Sequence, residues 1–289
     1  MDPDRLKIHS QPRLNDATMV LGFSGWMDGG DVSTGTVEWL IDSLGARSVA
    51  QIDPEGFYIY NFPGPMEMSS LFRPHTQIVD GVVEAFRAPA NTFFCDQASQ
   101  LVLFNGKEPN LNWESFAECI FTFASRVGVS MLYFVGSYAG MVPHTREARL
   151  TSAVSDESLR PTMAQYGMRL ANYEGPASFS TCLFSQAGAR GLRMASLVAE
   201  IPAYIQGTNP KCIEAVVRKL AGILGLQMNL DELRTAAGTW EQRVNEALKD
   251  KSDLATLVGK LEEGYDSEVF DTELGDLKAW LEQQGIRVD

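Results

Sequence analysis

The chain has 289 residues, of which 45% are hydrophobic, and it contains 37 acidic and 24 basic side chains, for a formal net charge of −13. Such a surface repels phosphate backbones and anionic lipids, so neither nucleic acids nor membranes are expected partners. The length indicates one large folding unit or two modest ones of roughly 150 residues each.

Secretion and membrane insertion are not expected. The first ten residues, MDPDRLKIHS, lack the apolar segment of a signal peptide, and the longest apolar stretch, 119–136, is interrupted by Arg126 and Gly128. The four cysteines lie far apart, without the paired spacing of a metal knuckle or a redox pair. Widely spaced cysteines are typical of buried thiols in a reducing cytosol, so we expect a cytoplasmic protein without a metal site.

Strand-like and helix-like segments alternate over the first 226 residues. Met19–Phe23 is predicted as a strand, and Val32–Leu44 as a helix capped by Asp31, because an aspartate accepts a hydrogen bond from a free backbone N–H at that position. A helix over 112–128 is predicted to be capped by Asn112 and ended by Gly128. Further strands are predicted at 47–53, 76–86, 91–96, 100–106, 130–136, 167–175 and 192–202, and further helices at 179–191 and 209–225. The alternation predicts an α/β layer fold with a mixed, largely parallel sheet.

The composition changes near Met228. Apolar residues then recur at helical spacing, beginning with Leu230, Leu233 and Ala237, and acidic residues crowd the stretch 262–276. We therefore expect an α/β domain over residues 1–226 and a C-terminal helical extension over 227–289. The apolar stripe of the extension must be covered, either by its own domain, which is the simpler expectation, or by a neighbouring subunit.

The stretch LGFSGWMDGGD, residues 21–31, has the layout of a nucleotide-binding strand–loop–helix. Its glycine spacing fits neither the dinucleotide fingerprint nor the P-loop, no lysine follows, and Asp28 and Asp31 would repel a phosphate. The segment GFSGW also resembles a nucleophile elbow, but Trp26 replaces the glycine that this motif requires. The ordinary interpretation is a tight turn in which glycines supply positive φ, so we expect no nucleotide or other cofactor here.

Three further loops leave predicted strands, within 133–150, 172–181 and 197–210. If the strands are parallel, all these loops lie at the carboxyl edge of one sheet, where α/β folds place their ligand crevices. The candidate crevice residues are Ser24, Gly25, Trp26, Asp28, His144, Arg146, Ser178 and Glu200.

Structural roles for these side chains remain open, since clusters of titratable groups also arise as ion-pair networks. His144 would then bond a loop carbonyl, Arg146 would pair with Glu147 or Glu200, and Glu200 would brace the following turn at Ile201. No complete catalytic set is evident, so no catalytic residue is assigned.

Five stretches in the same order resemble the proteasome assembly chaperone 2 family, in the branch found in actinobacteria. They are GFSGWMDGGDVSTGTVEWLIDSLGA, DPEGFYIYNFPGP, GSYAGMVPHTR, EGPASFSTCLF and AEIPAYIQGTNPK, within about residues 18–226, and the stretch 261–285 is similar to the helical tail of that branch. The resemblance implies a phosphorylase-like or hydrolase-like three-layer α/β sandwich, related in architecture to purine nucleoside phosphorylases, and homotrimers. In archaeal and eukaryotic relatives it implies help in assembling proteasome rings, whereas bacterial members have no settled function.

Two departures from the family pattern bear on function. Ala203 stands where family members commonly have a histidine, which weakens a shared proton-transfer role. The final residues, 285–289, lack the hydrophobic residue and tyrosine of proteasome-docking tails, so docking by that route is not expected. The ATP-grasp label of some members is also unsupported, because no lysine-bearing glycine loop is followed by a carboxylate metal pair.

Two functional hypotheses follow. The first is a non-enzymatic, chaperone-like or binding protein that forms homotrimers and has proteasome-related or other protein clients. The alternative is a hydrolase or nucleoside-phosphorylase-like enzyme acting on a small molecule in the crevice. With one evident arginine among several carboxylates, the crevice disfavours phosphorolysis but leaves an amine or a sugar open as ligand.

Overall fold

The computed structural model describes residues 5–61, 63–65, 72–249 and 251–283, with side chains up to 270. Nine strands form one sheet in the order β1-β3-β6-β7-β2-β8-β11-β9-β10, and β4 and β5 form a separate hairpin. The strands are β1 (Leu6–Ile8), β2 (Ala17–Ser24), β3 (Arg47–Ile52), β4 (His75–Val79), β5 (Val82–Arg87), β6 (Thr92–Asp96), β7 (Leu101–Lys107), β8 (Val129–Gly140), β9 (Leu150–Ser152), β10 (Arg169–Leu170) and β11 (Arg193–Pro202).

The centre of the sheet is parallel. Strands β7, β2, β8 and β11 run in the same direction, while antiparallel pairings join β6 to β7 and β11 to β9. The central strands are buried on both faces, which explains why β2 reads as a nearly continuous apolar run. The predicted mixed, largely parallel sheet is confirmed.

Helices cover both faces of the sheet. They are α1 (Val32–Leu44), α2 (Trp113–Val127), α3 (Arg160–Gln165), α4 (Phe179–Ala187), α5 (Pro210–Leu224), α6 (Asp231–Leu248) and α7 (Ser252–Gln283). One buried cluster joins α1 and α5 to the sheet, and a second, rich in phenylalanine, joins α2 and α4 to it. A Cβ on Gly22 would lie 2.7 Å from Val37 Cγ2, so the glycine allows α1 to pack directly on β2. The three-layer α/β architecture is confirmed.

The predicted helix caps are partly wrong. Asp31 precedes α1 in a left-handed conformation (φ 53°) and makes no capping bond, because Asp28 takes that role. Asn112 precedes α2 in the same conformation, and its side-chain amide donates to Gly56 O instead. Gly128 ends α2 as predicted, with φ 84°.

Two predicted strands differ from the structure. The stretch 76–86 folds into the β4–β5 hairpin, because Asp80 and Gly81 both adopt positive φ, as a tight hairpin turn requires. The stretch 167–175 contains only the two-residue β10, and the exposure of Leu170 and Tyr173 leaves little apolar burial to sustain a longer strand.

The C-terminal helices contact the body of the same chain. The apolar stripe of α6 lies against α5 and the loop after β8: Leu230 and Leu233 are buried, and Trp240 is half-buried beside His144. Helix α5 ends at Leu224, close to the predicted boundary at residue 226, and the division into two units stays a prediction. No helix in the described residues is long and apolar enough to cross a membrane.

Candidate functional site

Three of the four predicted loops leave one edge of the sheet, whereas the stretch 172–181 follows β10, which runs in the opposite direction to β11. Strands β2, β8 and β11 are parallel neighbours, so the loops after Ser24, Gly140 and Pro202 leave the same edge. The loop after β2 turns at Gly25, whose φ of 137° favours glycine, and then crosses to β8. There the Ser137 hydroxyl donates to Gly29 O at 2.6 Å.

Asp28 caps helix α1. Its Oδ1 accepts hydrogen bonds from Ser33 N at 2.8 Å and Thr34 N at 3.1 Å, and its Oδ2 accepts one from Thr34 Oγ1 at 2.8 Å. Burial raises the pKa of the Asp28 carboxyl to about 6, against the lowering effect of these hydrogen bonds. The N–H groups that a helix would offer to an anion are therefore directed at Asp28.

Glu108 links the loop after β2 to helix α4. Its Oε2 accepts from Trp26 N at 2.9 Å and its Oε1 from Phe179 N at 2.8 Å, while its own N–H donates to Ser24 O. A Cβ on Gly25 would lie 3.0 Å from the Cβ of Glu108, which explains the glycine. Sequence reasoning missed Glu108, although its position directly after parallel strand β7 was a usable signal.

Trp26 and Ser178 flank Glu108 without forming a catalytic arrangement. The side chain of Trp26, one of the predicted crevice residues, is 70% exposed. Ser178 is the N-cap of α4, and its hydroxyl bonds the hydroxyls of Ser180 (2.7 Å) and Thr181 (3.2 Å). Residues around Glu108 and Ser178 line a cavity of about 10 Å³, which has room for at most one water molecule.

His144 is buried on the other side of the edge, with both ring nitrogens bonded. Its Nδ1 lies 2.8 Å from Tyr204 Oη, and its Nε2 lies 3.0 Å from Asn245 Oδ1 on α6. Because the Tyr204 oxygen accepts the His144 backbone N–H, its own proton is free to bond Nδ1, which assigns the remaining ring proton to Nε2. Burial lowers the pKa of His144, so the neutral ring is favoured. The histidine thus joins the loop after β8 to the loop after β11 and to α6, rather than to a loop carbonyl.

Arg146 pairs with helix α7. Its Nε and Nη2 donate to the two carboxylate oxygens of Asp266, both at 2.8 Å, and its Nη1 lies 3.3 Å from Glu262. This two-bond geometry with Asp266 raises the pKa of the guanidinium. The expected pairing with Glu147 or Glu200 is wrong: Glu147 pairs with Arg218.

Glu200 lies half-buried on β11, and burial raises the pKa of its carboxyl. A Cβ on Gly140 would lie 2.1 Å from Glu200 Oε1, so the glutamate side chain crosses the backbone of β8 there. His144, Arg146 and Glu200 line one cavity of about 10 Å³. The structure thus brings these three residues together. The predicted residues Ser24, Gly25, Trp26 and Ser178 lie around Glu108 instead, and Asp28 caps α1.

A larger groove lies beside this cavity. It has a volume of about 340 Å³, within the range of small-molecule sites, and is lined by Glu147, Ala148, Lys211, Glu214, Arg218, Arg234, Ala237, Gly238 and Glu241. Its charges are paired: Lys211 contacts Glu241 at 2.5 Å, and Arg218 contacts Glu214 at 3.0 Å. Three carboxylates face three cations, so the groove has no excess charge with which to select an ionic ligand. Among the residues that the structure describes, no group of three or more metal-ligating side chains is found.

Comparisons with known proteins agree on the family and the fold. The chain is 28% identical to a PAC2 family protein from Streptomyces avermitilis, with a TM-score of 0.71 over 84% of this chain and 100% of that one. It is 27% identical to a proteasome-assembly chaperone homologue from Mycobacterium tuberculosis, with a TM-score of 0.73 over 83% of this chain and 99% of that one. No match was found among curated proteins.

A third structure shows that the fold likeness extends into the tail. A Mycobacterium tuberculosis protein of unknown function is 22% identical, with a TM-score of 0.82 over 96% of this chain and 94% of that one. The uncovered 4% is shorter than α7, so the shared fold includes part of that helix. The PAC2 family model matches residues 22–248, from the end of β2 to the end of α6, and the chain therefore belongs to the PAC2 family.

Proposed function

We propose that this protein is a non-enzymatic, chaperone-like member of the PAC2 family that acts by binding other proteins. The main support is its likeness to the Mycobacterium tuberculosis proteasome-assembly chaperone homologue, which covers nearly the whole of that chain. Its proposed clients are proteasome-related proteins. The proposed cytoplasmic location is supported by four cysteines that are all free thiols.

The candidate site supports a binding role over a catalytic one. A catalytic acid, base or nucleophile must present an atom to its substrate. Here both nitrogens of His144 are bonded within the protein, the Asp28 carboxylate caps α1, and the Ser178 hydroxyl caps α4. The enzyme alternative would require these groups to exchange structural bonds for substrate contacts.

We also propose that the protein forms a homo-oligomer, with the trimer as the expected state. The β4–β5 hairpin supports self-association, because its apolar side chains are exposed on a two-stranded unit outside the main sheet. Ile78, Val83 and Phe86 share one of its faces by register, and each is about 60% exposed or more. An isolated hairpin is only marginally stable in water, so a covering partner would stabilise it.

The test is native mass spectrometry of the full chain, alone and mixed with unassembled proteasome α-subunits. We expect a homo-oligomer of about three times 31.8 kDa, and a further complex that contains the α-subunits. A matched assay compares turnover of nucleoside and ester substrates by the wild-type protein and a His144→Gln variant. A stable monomer without client binding, together with turnover lost in the variant, would favour the enzyme alternative.

A further inference from the structure

Three arginines from separate elements of the α/β body converge on helix α7. Arg146 lies in the loop after β8, Arg149 directly precedes β9, and Arg169 begins β10. We call these three residues the arginine triad. Their ion pairs with α7 are Arg146 with Asp266 (2.8 Å) and Glu262 (3.3 Å), Arg149 with Glu268 (2.5 Å), and Arg169 with Glu268 (2.7 Å).

Polar contacts also join α7 to the body. The Tyr265 hydroxyl donates to Glu147 O at 3.1 Å, and the Arg149 guanidinium lies 4.4 Å from the centre of the Tyr265 ring. In the part of α7 whose side chains are described, Val258 is the only buried hydrophobic residue. Because salt screens exposed ion pairs, such a helix is attached in a salt-sensitive way.

Separating α7 from the body would cost more free energy at the arginine triad than at the carboxylates of α7. The Arg149 side chain is only 13% exposed, and its Nε has no hydrogen-bond partner among the described residues. Without α7, Arg149 and Arg169 would lose their ion pairs and keep the half-buried Glu200 of β11 as a nearby carboxylate, whereas the carboxylates of α7 would be readily hydrated. Residues 252–283 contain nine acidic side chains and two lysines, which accounts for seven of the thirteen net negative charges of the chain.

We propose that the arginine triad is a docking surface for an acidic helical segment of a partner protein, and that α7 covers this surface until the partner displaces it. The proposal rests on the protein-binding function proposed above. Charge complementarity selects the partner: α7 presents carboxylates at 262, 266 and 268 around an aromatic side chain at 265, and a partner helix would reproduce this arrangement. Only residues 249–251 separate α6 from α7, and this short connection keeps α7 at a high local concentration beside the arginine triad. A competing helix must therefore contact the triad at several points.

The probe is a fluorescein-labelled synthetic peptide with the sequence of residues 252–283, used with the full-length protein. In an Asp266→Lys/Glu268→Lys variant, α7 loses one ion pair with each of the three arginines and keeps the longer contact of Arg146 with Glu262. We expect the peptide to bind this variant at least tenfold more tightly than wild type. An Asp253→Lys/Glu263→Lys variant is the matched control, because both carboxylates are exposed on the same helix and no ion pair to either is seen within the described residues. It should behave like wild type.

Two further measurements identify the surface. Adding Arg146→Glu and Arg169→Glu to the Asp266→Lys/Glu268→Lys variant should abolish peptide binding, and raising NaCl from 50 to 500 mM should weaken it more than tenfold. Equal binding to all variants, or no binding to the Asp266→Lys/Glu268→Lys variant, overturns the proposal. Peptide binding that dissociates a wild-type oligomer also overturns it, because α7 would then be exchanged between copies of this chain.

Hydrogen exchange on the wild-type protein decides the question if the charge-reversed variant does not fold. In 1 M NaCl the amides of α7 should lose protection while those of β8 keep theirs, and unchanged protection of α7 overturns the proposal. Neither experiment uses proteasome subunits. A negative result here therefore does not count against the proposed chaperone-like function. A failure to bind proteasome subunits likewise does not count against the docking surface at the arginine triad.

Discussion

Two groups of carboxylates hold the carboxyl edge of the sheet together, and they do so by different means. On one side Asp28 and Glu108 accept hydrogen bonds from backbone N–H groups of α1, α4 and the loop between β2 and α1. On the other side Glu262, Asp266 and Glu268 of α7 pair with arginines near the surface. Carboxylates thus hydrogen-bond the backbone as part of the fixed structure in one region and form salt-sensitive ion pairs in the other.

The difference follows from the partners. The partly buried N–H groups of Ser33, Thr34 and Phe179 have few other acceptors, so the loss of their carboxylate leaves unpaired donors. The more exposed ion pair of Arg146 with Asp266 is in contact with solvent on both sides, so water and salt replace it at a smaller cost. We therefore expect substitutions in the first group to change the free energy of unfolding strongly, and substitutions in the second to act mainly through salt-dependent docking of α7.

Glu108→Ala tests the carboxylates that accept hydrogen bonds from the backbone. It removes the acceptor of two backbone N–H groups, one from the loop after β2 and one from α4. Hydrogen bonds to a charged group contribute about 1.5–3 kcal/mol each, so we expect a loss of about 3–6 kcal/mol in the free energy of unfolding. Urea denaturation measures it. Glu108→Gln keeps one acceptor oxygen and should lose less, and equal losses in the two variants would contradict the assignment.

Asp28 makes stability depend on pH. Its pKa is about 6 in the folded protein and 3.8 ordinarily, so the folded state holds the proton more tightly and the stabilisation is lost as pH rises from about 4 to 6. A difference of this size corresponds to about 3 kcal/mol. Urea denaturation from pH 3.5 to 7 should show wild type losing stability relative to Asp28→Asn over this range. If wild type keeps or gains stability relative to Asp28→Asn as the pH rises, Asp28 is not the group that titrates.

His144→Gln tests the histidine that joins the body to α6. The substitution removes the ring that bonds both the half-buried Tyr204 hydroxyl and the exposed Asn245 side chain, and each such hydrogen bond contributes about 0.5–1.5 kcal/mol. Because the folded-state pKa of His144 lies below 6.5, the unfolded chain binds the proton more readily, and the wild type should lose stability as pH falls below 6.5. Thermal unfolding of wild type and variant from pH 5 to 8 measures both effects. A variant with the same acid sensitivity as wild type would show that another group titrates.

Local patterns predicted the layers of the fold but not the pairing of its charged groups. The apolar run at 19–23 and the helical pattern at 32–44 lie close together in sequence, so periodicity was enough to place β2 and α1. The cap of α1 was missed because Asp28 reaches over two intervening glycines that turn the backbone, Gly29 and Gly30. A capping pattern that considers only the residue next to the helix points instead to Asp31.

The candidate site depended on contacts between distant parts of the chain. Both ends of the Arg146–Asp266 pair are visible in the sequence, but 120 residues separate them, and nothing local favours Asp266 over the nearer Glu147 or Glu200. Glu108 was missed for the opposite reason: it sits at the expected edge, yet its role depends on the N–H groups of Trp26 and Phe179, from two other elements. Sequence reasoning therefore located the edge but not the hydrogen bonds across it.

Arg146→Ala is the smallest expected effect and tests the weak side of the comparison. The Arg146 side chain is 34% exposed and that of Asp266 is 54% exposed, so solvent and salt compete directly with their hydrogen bonds. The substitution should leave the urea midpoint of the whole chain close to that of wild type in 1 M NaCl and lower it slightly in 50 mM NaCl. A double-mutant cycle with Asp266→Ala isolates the pair, and its coupling should disappear at the higher salt concentration. Coupling that persists in 1 M NaCl would mean that α7 is fixed to the body like α1 and α4, and that the two sides of the edge do not differ in kind.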